Sequence, residues 1–94
     1  MIVVRDVFQA KYGKGGELVD LLKEAQPDMP QSYQRILSDA SGAFFTIVAE
    51  IEVANLAAWE TMVQEIFANP KFGQWFERMV PLVESGRREF YNVE

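Results

Sequence analysis

The sequence predicts an α+β domain: a four-stranded, antiparallel-type sheet with its helices on one face. Three observations carry this. Ala43 to Val53 alternates, with Phe45, Ile47, Ala49, Ile51 and Val53 on one side and Phe44, Thr46, Val48, Glu50 and Glu52 on the other, which is the two-residue period of a strand. Two further stretches carry apolar residues at helical spacing, Leu18-Leu21-Leu22-Ala25 and Phe72-Trp75-Phe76-Met79. Strand and helix signals then follow one another as β-α-β-β-α-α-β, with short turns between them.

Taken in order, Ile2 to Ala10 is β-branched and aromatic enough for a strand. Arg5 and Asp6 interrupt it and must point to opposite faces. Lys11 to Gly16 is a turn. Its glycines do not have the spacing of a phosphate loop and are expected to form a flexible helix entry. Glu17 to Gln26 is the first helix, ended by Pro27 and Pro30. Ser32 to Ser38 is a short strand with Tyr33, Arg35 and Leu37 on one face. Asp39-Ala40-Ser41-Gly42 is a turn signature that makes a hairpin with the strand from Ala43. If Asp39 faces Gly42, Leu37 opposes Phe44, Arg35 opposes Thr46, and Tyr33 opposes Val48. Asn55 caps a helix with an apolar stripe of Leu56, Trp59, Val63, Ile66 and Phe67. Asn69-Pro70 signals a new helix start, Ser85-Gly86 ends that stretch, and Arg87 to Val93 is the last strand.

This order is the ferredoxin-like split βαβ plan with its second helix divided, in a single domain over residues 1–94. The expected sheet order is last, first, third, second. One sheet face packs under the helices. The other would carry Phe44, Val48, Tyr33 and Leu37, and an apolar face of this kind calls for a cover. A second copy in a two-fold arrangement supplies one. Arg35, Thr46, Glu50 and Tyr33 are then the candidate ligand-binding residues, on or near the wall of the resulting interior. Glu50 is either paired, with Arg35 as its partner, or an acid facing solvent or a cleft. Trp59 and Trp75 read as packing residues. The facing of Arg5, Asp6, Arg87, Arg88 and Tyr91 stays open.

Composition narrows the chemistry. The chain has no cysteine and no histidine, which excludes thiolate nucleophiles, His-dependent triads and Cys- or His-ligated metal centres. No metal and no cofactor is expected. A net charge of −5 argues against a nucleic-acid surface. MIVVRDVF reads as a strand and not a signal peptide, and no apolar run approaches a membrane span, so the expected location is cytoplasmic with no membrane contact.

Three segments, FQAKYGKGGEL, WETMVQEIFANPKFGQWF and ESGRREFYNVE, together with the element order, resemble the dimeric α+β barrel superfamily, and within it the NIPSNAP-like proteins. The resemblance covers nearly the whole chain and implies a dimeric α+β barrel and a homodimer through the open sheet face. It also implies a small hydrophobic or aromatic ligand in the cleft between sheet and helices. The superfamily includes cofactor-independent monooxygenases, so the resemblance leaves an oxygenase as the alternative to a binding protein. A dimer without a ligand is the third reading.

Overall fold

The computed structural model describes residues 1–28 and 34–94. Strands β1 (Ile2–Ala10), β2 (Gln34–Ser38), β3 (Thr46–Val53) and β4 (Val83–Asn92) form one sheet in the order β2-β3-β1-β4, every neighbouring pair antiparallel. Helices α1 (Gly15–Ala25), α2 (Leu56–Ala68) and α3 (Phe72–Met79) complete the expected ferredoxin-like plan. Alternation along β1 and β3 sends Val4, Ala10, Ile47, Ile51 and Val53 into the core under the helices. Leu18, the most buried position of α1, packs against Ala10 and Ile47.

Several local expectations need correction. The strand expected from Ala43 begins at Thr46. The β2–β3 register therefore slides by four residues: Leu37 opposes Val48 and Arg35 opposes Glu50, instead of Phe44 and Thr46. The cause is a longer loop. The Asp39 carboxylate accepts the Thr46 N–H, the Thr46 hydroxyl donates to the Ala43 carbonyl, and Phe45 takes a positive φ of 60°. An even-numbered slide keeps each side chain on its face. Phe44 leaves the sheet, is 69% exposed, and no longer belongs to the open face.

At the other end, Ser85-Gly86 does not break a helix. It lies inside β4, where Gly86 opposes Phe8 and lets that ring lie close to the backbone. Asn69-Pro70 forms a turn, with the Asn69 side chain accepting the Lys71 N–H, and α3 starts two residues later than a cap at Asn69 implies. The glycine-rich entry to α1 is a packing device. A Cβ on Gly15 would lie 2.9 Å from the Phe45 ring, so glycine permits the Phe45 loop to close over the helix start.

Candidate functional site

The helix-side core is divided. One cluster, Val4, Ile51, Val53 and Met62, lies under α2. The other, Ala10, Leu18, Leu22 and Ile47, lies under α1 and α3. Between them one transverse row of the sheet carries Arg88, Asp6, Ala49 and Ile36 on the helix side, in that order from β4 to β2. A charged pair and an alanine cannot fill this space as Leu or Ile would. The result is an open-mouthed cavity of about 790 Å³. Trp59 and Met62 of α2 and Phe72, Trp75 and Met79 of α3 wall it, with Asp6 and Arg88 at the floor.

Arg88 Nε donates to Asp6 Oδ1 at 2.6 Å, and its Nη2 to Oδ2 at 3.3 Å. The guanidinium lies over the Trp59 ring, 5.0 Å from its centroid, and Trp59 meets Phe90 edge to face. Side-chain exposure is 30% for Asp6 and 45% for Arg88, so both remain reachable from the cavity. The opposite wall is held firmly. The Trp75 indole donates to the Leu21 carbonyl, and Arg78 grips Glu24 through two bonds of 2.9 Å. Those bonds hold the Glu24 carboxyl below its ordinary pKa and raise that of Arg78.

The residues singled out from sequence sit mainly on the other sheet face. Arg35 and Glu50 border the cavity, yet alternation turns their charged ends to the open side, where Arg35 Nε donates to Glu50 Oε1 at 2.8 Å. This pair begins a ladder of alternating charge across all four strands. Arg5 lies 3.4 Å from Glu50 and 3.8 Å from Glu89, and Glu89 accepts a bond from Arg87 at 3.0 Å. The bond from Arg87 is the main cause of a lowered Glu89 pKa. Above the ladder runs an apolar band, Leu37, Val48 and Val7, that continues to Arg87 on β4. Thr46 bonds to Gln9 and the loop, away from the cavity. Tyr33 lies outside the described residues.

Sequence reasoning missed Asp6 and Arg88 as a site. A signal was present: Ile2, Val4, Phe8 and Ala10 share Asp6's face, so an aspartate there interrupts an otherwise apolar surface. Its partner could be identified only from the β1–β4 register. Trp59 and Trp75 do pack on the two half-cores, as expected, and they wall the cavity as well. Among the described residues no group of acidic side chains could hold a metal ion, and no helix is long and apolar enough to cross a membrane.

A four-stranded antiparallel sheet with helices on one face and a cavity beneath them defines the class: a ferredoxin-like α+β domain. More particularly, the chain has the fold of NIPSNAP-domain proteins. It is similar to an uncharacterized NIPSNAP domain protein from Burkholderia xenovorans, with a TM-score of 0.88 at 16% identity over 100% of this chain and 95% of that one. A NIPSNAP family protein from Agrobacterium tumefaciens superposes with a TM-score of 0.87 at 15% identity, covering 99% and 85%. A protein provisionally assigned as an antibiotic biosynthesis monooxygenase from Deinococcus radiodurans gives 0.72 at 18% identity, covering 100% and 93%. No family model and no curated protein matches the sequence.

Proposed function

We propose that this protein binds a flat, largely apolar small molecule in the cavity between sheet and helices, and that it does so as a two-fold dimer joined through the open sheet face. The observation that carries the first part is the divided core. A cavity of about 790 Å³ lined by Trp59, Trp75 and Phe72 and floored by one polar pair has the size and make-up of a small-molecule site. Filling the same row with larger apolar residues would join the two half-cores and bury more surface. The chain instead keeps a charged pair and Ala49 there.

The second part rests on the band of Leu37, Val48 and Val7 beside a ladder in which Arg35, Glu50, Arg5, Glu89 and Arg87 alternate in sign. A copy of the same face would cover the band, and each charge of the ladder already has an opposite one beside it.

Titration with N-phenyl-1-naphthylamine, a neutral dye that brightens in apolar sites, tests the binding function. Saturable binding that shifts the Trp59 and Trp75 indole resonances is expected. Oxygen uptake in the same solutions, with aromatic quinols in place of the dye, tells whether a bound molecule also reacts.

A further inference from the structure

We infer that the Asp6–Arg88 pair selects a neutral aromatic molecule bearing a hydrogen-bond donor beside an acceptor on one edge, an amide or lactam in class, over carboxylates and amines of the same shape. This rests on the reading that the cavity holds a ligand, and it adds the chemistry of the ligand's polar end.

The pair keeps hydrogen-bonding groups that its own contact does not use. Arg88 directs Nε and Nη2 at Asp6, and the Trp59 ring covers one guanidinium face. The donors that remain lie in the guanidinium plane. Each Asp6 oxygen accepts one bond from Arg88, and a carboxylate oxygen can accept another. The floor of the cavity therefore presents an acceptor next to a donor. An amide edge matches both at once, with its N–H to Asp6 and its carbonyl accepting from Arg88.

Charge decides against the ionic analogues. The pair sums to zero, so a carboxylate drawn to Arg88 meets Asp6 within the same few ångströms, and an ammonium meets the reverse. Either ion also loses hydration among the aromatic walls. The other charges of the lining do not tip this balance: Glu24 pairs with Arg78, Glu50 with Arg35, and Glu65 and Lys71 add one charge of each sign.

Calorimetry with a matched series tests the inference: naphthalene, 2-naphthamide, 2-naphthoate and 2-(aminomethyl)naphthalene, each titrated into the intact chain, with the Trp59 indole and Arg88 Nε–H resonances followed in parallel. The amide should bind tightest, by about tenfold over either ion. Asp6→Asn should bring the naphthoate ahead, and Arg88→Met should bring the amine ahead. If Arg88→Met fails to fold, Arg88→Lys serves in its place: it keeps the charge, loses the fork, and should shrink the amide's advantage. Equal affinities across the series, or a ranking that neither variant changes, overturn the selectivity while naphthalene binding at Trp59 leaves the cavity reading intact. Absence of binding by all of the probes overturns both.

Discussion

Asp6 and Arg88 stand opposite each other on neighbouring strands, joined by two hydrogen bonds on the sheet face that otherwise carries the core. Their position between two separate apolar clusters puts them in the lining of the cavity, with Arg88 on the exposed edge strand. Because both side chains keep partial access to solvent, their mutual stabilisation is modest. A double-mutant cycle on Asp6→Ala and Arg88→Ala, read by urea denaturation, should give a coupling of about 0.5–1 kcal/mol. Arg88→Ala should cost more than Asp6→Ala, since it also uncovers the Trp59 ring.

The clamp between Glu24 and Arg78 should show in the acid limb of stability. Hydrogen bonding to Arg78 lowers the folded-state pKa of Glu24. A depressed folded-state value means that the pair's contribution is present above the ordinary carboxylate range and is lost as the pH falls through the lowered value. Thermal melts against pH should therefore show a shallower acid loss for Glu24→Gln than for the wild type, with the two curves approaching each other at the acid end. Glu89, lowered chiefly by Arg87, acts in the same direction. High salt should narrow the difference between wild type and Glu24→Gln above pH 5, because both members of the clamp are exposed.

Two neighbouring glycines at the start of α1 should respond with opposite signs. At Gly16 a methyl group meets open space, and alanine should stabilise the helix by a few tenths to about 1 kcal/mol. At Gly15 the same methyl would meet the Phe45 ring at 2.9 Å, so Gly15→Ala should destabilise by about 1–3 kcal/mol. Paired chemical denaturation curves measure both.

This contrast shows where sequence reasoning reached and where it stopped. Period-two and helical spacings identified the strands and helices and their order, because burial on one face is imposed by those periods alone. The hairpin register escaped because it depends on the Asp39–Thr46 bond and on the left-handed backbone of Phe45, a conformation rare outside glycine and asparagine. The candidate site escaped for a related reason. Arg35 and Glu50 do pair, but on the open face, and the cavity floor joins residues 82 positions apart whose partnership is set by the β1–β4 register.

The open face gives a prediction independent of any ligand. The chain should sediment at twice its 10.7 kDa mass, and Leu37→Asp, at the partly exposed end of the apolar band, should shift it to the monomer. Analytical ultracentrifugation at micromolar concentration measures this, and a monomeric wild type would remove the case for a two-fold pairing of sheets.

The cavity reading meets its most direct test at Ala49. Leucine there would project from the floor into the gap between the half-cores, next to Asp6, without touching the open face. Fluorescence titration of N-phenyl-1-naphthylamine into wild type and Ala49→Leu is the measurement. The account predicts saturable binding by the wild type, and its loss in a variant that keeps wild-type circular dichroism and melts within about 1 kcal/mol of the parent. A wild type that does not bind, or a folded Ala49→Leu that binds with unchanged affinity, would contradict it.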